Sequence, residues 1–178
     1  MPVHSAFNIT HLGRTLRINK PARFPGISDI LILTKKTDSV VKEKTRITSA
    51  EIAKSSNLRK FLNFSENTQV KVGSFEISMA GISSGKEKFN ILINDSLFFL
   101  TFLPDISLPF KENTTLLLPA DSGYFASDDL PRIREFIMGS KPSSVIISGN
   151  YSEKWFTSLK GVQNLTLKNE AEQENLFI

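Results

Sequence analysis

The sequence predicts an α/β protein, a sandwich of two mixed sheets with helices on the outside. Three observations carry that prediction. Apolar runs at Asp29-Ile30-Leu31-Ile32-Leu33-Thr34, Thr114-Thr115-Leu116-Leu117-Leu118-Pro119 and Val145-Ile146-Ile147 have the length and composition of strands buried on both faces. Between Val70 and Leu103, short apolar segments separated by turn residues read as a meander of four strands. Beyond Leu118 strand and helix patterns alternate, and sheets flanked by helices follow, because strands apolar on both sides need cover on both sides.

With 178 residues, 40% hydrophobic and 22% charged, the chain can bury one sizeable core. Residues 1–167 are expected to form a single domain, and 168–178 a polar tail that frays unless Leu176, Phe177 and Ile178 dock. Twenty-two Lys and Arg against eighteen Asp and Glu give +4, which permits nucleic-acid contact without demanding it. The absence of cysteine excludes disulfides and thiolate metal sites. No apolar run approaches the ~18 to 20 residues of a membrane span, and Met1-Pro2-Val3-His4-Ser5 does not open a secretory signal, so a cytoplasmic protein without a membrane partner is expected.

Along the chain, Phe7 to Leu12 and Thr15 to Asn19 alternate around Gly13-Arg14 as a hairpin. Lys20 to Gly26, with two prolines and a glycine, cannot continue a ladder. The first buried strand follows and empties into Lys35-Lys36-Thr37-Asp38-Ser39, the start of a basic loop carrying Lys35, Lys36, Lys42, Lys44 and Arg46. Thr48-Ser49-Ala50-Glu51 fits a capping box, which predicts a helix with Ile52, Ala53, Leu58, Phe61 and Leu62 on its apolar face. The meander turns at Gly73-Ser74, at Ser83-Ser84-Gly85-Lys86 and at Asn94-Asp95, its last strand running from Leu97 to Leu103. On that strand Phe98 and Phe102 share a face, and Phe99 points to a second layer or a partner. A helix capped by Ser127 or Asp128, with Pro131 in its first turn and Gly139 as its stop, presents Leu130, Ile133, Phe136 and Ile137. Tyr151 to Leu159 suggests a last helix with Trp155 and Phe156, and Val162 to Leu167 an edge strand. Ile32 and Leu117 are expected at the centres of adjacent strands.

This order of elements, with the phrases Val70-Lys71-Val72-Gly73-Ser74-Phe75-Glu76-Ile77 and Lys141-Pro142-Ser143-Ser144-Val145-Ile146-Ile147, resembles the metallo-β-lactamase fold from about Leu16 to Tyr151. In that family a buried strand runs into Thr-His-x-His-x-Asp-His, a Gly-Asp follows a later strand, and a further histidine follows "Pro-x-x-Val-Ile". The strand and its Thr34 match. The histidine positions hold Lys35 and Thr37, the aspartate position Ser39 and the next histidine position Val40. The Gly-Asp position falls on Phe102-Leu103, with Asp105 two residues on, and the last histidine position near Ser148-Gly149-Asn150. The resemblance therefore implies an αβ/βα sandwich that has lost its metal site.

Zinc needs three or four N, S or O ligands, and the two histidines, His4 and His11, both lie outside the motif. Neither zinc nor another cofactor is expected. A magnesium site built from Asp38, Asp105 and Asp121 keeps a hydrolase reading open. Gly81 to Lys86 is one residue short of a phosphate loop and has Glu87 where a hydroxyl belongs, so a hairpin turn accounts for it. His11 is expected to be structural. The favoured expectation is a pseudoenzyme, a binding or scaffolding protein acting through a protein partner or as a homo-oligomer. The alternative is a nucleic-acid module whose contacts are Lys35, Lys36, Lys42, Lys44 and Arg46.

Overall fold

The computed structural model describes residues 7–18, 28–33, 51–54, 61–63, 69–84, 88–105, 108–162, 166–169 and 176–177. Two mixed sheets and two helices make up the fold. Strands β1 (Phe7–His11), β2 (Arg14–Ile18), β3 (Ser28–Leu33), β4 (Glu51–Lys54) and β5 (Phe61–Asn63) lie side by side in the first sheet, and β1 also takes on a strand from the chain's end.

The hairpin β1–β2 forms as its alternation predicts. Phe7 faces Ile18 and Ile9 faces Leu16 across the pair, and all four are fully buried, so one face of the ribbon is apolar and inward. The turn sits one residue earlier than the sequence suggested, at Leu12-Gly13. Both residues have positive φ, 47° and 73°, the backbone a two-residue turn needs to match the strand twist. β3 forms as a strand, parallel to β2 and antiparallel to β4.

The predicted helix after Thr48 is not formed. Glu51–Lys54 is β4, Ile52 pairing with Ile32 on one side and Leu62 on the other, and Phe61–Asn63 is β5. A capping box contributes on the order of 1 kcal/mol. Ser55-Ser56-Asn57 interrupts the helical pattern within two turns, too short a run to repay helix nucleation. The ladder to β3 and β5, in contrast, satisfies the backbone of β4 on both edges.

The second sheet holds β6 (Gln69–Val72), β7 (Phe75–Ile82), β8 (Phe89–Ile93), β9 (Leu97–Phe99), β10 (Thr115–Pro119), β11 (Ser144–Ser148) and β12 (Thr166–Asn169) in sequence order. The meander is antiparallel as far as β9. Strands β9 to β12 then run parallel, which requires crossovers. Helix α1 (Leu130–Ser140) makes one and α2 (Ser152–Leu159) the next. Leu116, Leu117 and Leu118 on β10 and Val145, Ile146 and Ile147 on β11 are all buried, so both faces are covered. Ile32 and Leu117 therefore belong to different sheets, β3 and β10, rather than to adjacent strands.

Alternation along β9 assigns the layers. The Phe99 ring meets Phe7 of the first sheet edge-on at 5.5 Å, while Phe98 stacks at 4.9 Å on Phe110, which touches Phe136 of α1 at 6.0 Å. The order is sheet, sheet, helices. The expected second layer for Phe99 is thus the first sheet. Among the described residues no helix covers that sheet's outer side.

α1 differs from its predicted ends. Asp129 is its N-cap residue, but its side chain caps no N–H of the helix; its carboxylate instead accepts from the Ala126 N–H at 2.8 Å in the turn before it. Gly139 does not stop the helix. It runs on to Ser140 and closes at Lys141, whose φ of 53° lets its N–H donate to the Ile137 carbonyl at 2.9 Å.

Part of the stretch expected to be a tail lies in the sheets. Lys168 and Asn169 continue β12 against Ile146 and Ile147 of β11, and Leu176 and Phe177 form β13 against Ile9 and Thr10 of β1. No helix among the described residues is long and apolar enough to cross a membrane.

Candidate functional site

In sheets with parallel strands, ligand sites lie beyond the strands' carboxyl ends, where the loops are free to diverge. Here β9, β10 and β11 end together. Phe7, at the start of β1, packs on Phe99 at that same end, so β2 and β3, antiparallel to β1, also finish there.

β9 stops at Phe99 rather than continuing to Leu103, and Asn90 is the cause. This side chain, 1% exposed on β8, accepts from the Thr101 N–H at 2.7 Å and the Phe102 N–H at 3.3 Å, and donates to the Phe102 carbonyl at 3.1 Å. Backbone groups that would have extended the ladder are captured by an amide, so the chain turns out of the sheet. Phe102 consequently leaves the strand and does not share a face with Phe98.

The next two strand ends are tied in similar ways. Asp121, 3% exposed, accepts from the Gly123 N–H at 2.7 Å through its carboxylate, and its carbonyl takes the N–H groups of Tyr124 and Phe125. Ala120 N–H donates to the Ser148 carbonyl at 2.6 Å, and Tyr151 N–H donates back to Ala120 at 2.7 Å. The Lys88 ammonium reaches the Tyr124 carbonyl at 2.6 Å from the far side of the β7–β8 turn.

These loops surround a cleft of about 350 Å³. Phe102, Leu103 and Asp105 contribute one wall, and Tyr124 and Phe125 another. Ser83 and Ser84 come from the β7–β8 turn, and Asp129 and Arg132 from the start of α1. Arg132 and Asp129 pair at 3.4 Å. The Phe125 ring touches Trp155 at 6.0 Å, and Tyr124 touches Phe99, so the cleft opens directly above the core.

A larger hollow of about 420 Å³ lies at the opposite end, among the hairpin tips, with His11, Lys71 and Glu76 on its walls. There Asn94 already accepts from the Glu76 N–H and donates to the Ser74 carbonyl, and the Ser74 hydroxyl donates to the His11 carbonyl. The His11 ring lies 6.0 Å from Phe75. These polar groups hold the two sheets' turns together, and the carboxyl-end cleft is the better candidate.

Lys35, Lys36, Lys42, Lys44 and Arg46, as well as Asp38 and His4, lie outside the described residues. Of the remaining carboxylates proposed for magnesium, Asp105 lines the cleft and Asp121 is turned onto its own loop. Among the described residues no group of three or more His, Cys, Asp or Glu is placed to hold a metal. The phrase resembling a phosphate loop ends a hairpin, in which the Ser83 hydroxyl accepts from the Lys88 N–H at 3.1 Å. Asn90, Tyr124 and Arg132 were not legible as site residues. Only Asn90 had a signal, an amide inside the otherwise apolar Phe89-Asn90-Ile91-Leu92-Ile93.

No family model, curated protein or solved structure matches the chain.

Proposed function

We propose that this chain is a non-catalytic, cytoplasmic binding or scaffolding protein that acts through a protein partner or copies of itself, on a sandwich of metallo-β-lactamase type whose metal site has been lost. The observation that carries the reading is how the polar side chains at the carboxyl edge are used. Asn90 and Asp121 both turn inward to close loops, and the cleft beyond them is lined by Phe102, Leu103, Tyr124 and Phe125 together with the polar Ser83, Ser84, Asp105, Asp129 and Arg132. Catalysis needs polar groups aimed at a reacting atom. Association with a protein instead uses aromatic and aliphatic side chains set among polar ones, and Phe102 and Leu103 beside Ser83, Ser84, Asp105 and Arg132 give the cleft such a mixed lining.

Two measurements test the proposal. Purified protein should carry less than about one zinc per ten chains, and a chelator should leave its melting temperature unchanged, because a structural or catalytic zinc would be part of the folding free energy. Stoichiometric zinc, or a metal-dependent hydrolysis, overturns it. In affinity capture from the source cells, the native chain should retain a partner that Leu103→Glu loses while keeping its circular dichroism and melting temperature. Equal capture by both removes the cleft from the contact surface.

A further inference from the structure

The balance of charge at the cleft indicates what kind of segment it would receive. Asp129 and Arg132 neutralise each other at 3.4 Å, and the second carboxylate oxygen of Asp129 is occupied by the Ala126 N–H. Asp105 is different. It is exposed on the cleft wall and makes neither a hydrogen bond nor an ion pair with a described residue. Among the described residues that line the cleft, the charge left to meet a guest is therefore a single carboxylate, with the Lys88 ammonium held behind the wall by the Tyr124 carbonyl. It stands at the end of a wall built from Phe102 and Leu103, both half-buried, opposite the Tyr124 and Phe125 rings.

We infer, resting on the protein-binding reading, that the cleft takes an arginine or lysine side chain from an extended segment of the partner, its aliphatic stem along Phe102 and Leu103 and its cationic head at Asp105. The stem gains the apolar contact that such side chains make while keeping their heads wet. A cationic head at Asp105 gains a charge-assisted hydrogen bond to the carboxylate. A volume near 350 Å³ is at the small end for ligand sites, suited to one long side chain with its flanking backbone rather than to a large cofactor. The Ser83 hydroxyl already accepts from Lys88, so its proton remains to meet a carbonyl of that backbone. An acidic segment would set its carboxylate against Asp105 and be repelled.

The test uses blocked pentapeptides, Gly-Leu-X-Leu-Gly with X as arginine, leucine or glutamate, titrated into the whole chain to about 10 mM and read by the backbone amide shifts of 83–84, 102–105 and 124–125. The arginine peptide is expected to shift those amides in a saturable way and at least tenfold more tightly than the other two. Asp105→Lys, whose site is exposed and whose melting temperature serves as the folding control, should lose the arginine preference and gain one for glutamate. Equal binding of the arginine and leucine peptides, tighter binding of the glutamate peptide, no shift at any concentration, or an unchanged preference in Asp105→Lys each overturns the inference. The protein-binding reading is judged separately, by whether Leu103→Glu loses the captured partner.

Discussion

Removing the Asn90 side chain should unfasten the end of β9, and its cost can be worked out from the contacts. Asn90→Ala strips the acceptor from the Thr101 N–H, held at 2.7 Å, and from the Phe102 N–H, and removes the donor to the Phe102 carbonyl. Thr101 is fully buried, so its N–H would lose the Asn90 acceptor in a place away from water, a cost of about 1 to 3 kcal/mol. Phe102 is half-buried, and water can replace part of what its two groups lose. With the small void left by the amide, the total comes to about 2 to 4 kcal/mol. Urea unfolding, followed through the single tryptophan, Trp155, measures it by linear extrapolation. Amide exchange supplies the local check. Leu100 N–H donates to the Leu117 carbonyl and not to Asn90, so in the variant Thr101 should lose protection beyond the global destabilisation while Leu100 does not. A cost under about 1 kcal/mol, or equal changes at both amides, would refute the role given to Asn90.

Two further outcomes are expected. Leu12 is 81% exposed with φ at 47°, a backbone that a leucine adopts at a cost of roughly 1 to 2 kcal/mol, so Leu12→Asn should stabilise the chain by about 0.5 to 1 kcal/mol in urea unfolding; any loss of stability contradicts the assigned turn. If Lys35 and Lys36 met phosphates, changing both to Glu would weaken nucleic-acid binding for every sequence and lower the salt slope by roughly two; no salt-dependent binding is expected even in the native chain, and tight binding lost in the double variant would promote the nucleic-acid reading.

What the sequence made legible was the part of the fold written in local patterns. The meander from β6 to β9, the doubly buried β10 and β11, and α1 with its Ile133, Phe136 and Ile137 face all arise where periodicity, turn residues and burial agree. The errors fall where a distant partner decided. Glu51–Lys54 had a helix-start signal, yet two neighbouring strands were available to it, and ladder bonds on both edges outweigh one cap. β13 is two residues long, and nothing in Leu176-Phe177 itself announces that β1 has a free edge beside Ile9 and Thr10.

The site was less legible for a related reason. A catalytic motif is read from the spacing of reactive groups along the chain, whereas this cleft is made of ordinary residues from four separate segments. Phe102 becomes a wall residue only because Asn90, twelve positions earlier, pulls the backbone out of the strand. Before that bend is known, Phe98 and Phe102 look like two residues of one core face, and Asp105 looks like a loop aspartate. Once the bend is in place, Phe102 and Asp105 stand on one wall and Asp129 has spent its charge on Arg132. Asn90 therefore links stability to binding. Asn90→Ala should weaken a partner held by this cleft even under conditions where the chain is still folded, whereas a partner bound elsewhere on the surface would be indifferent to it.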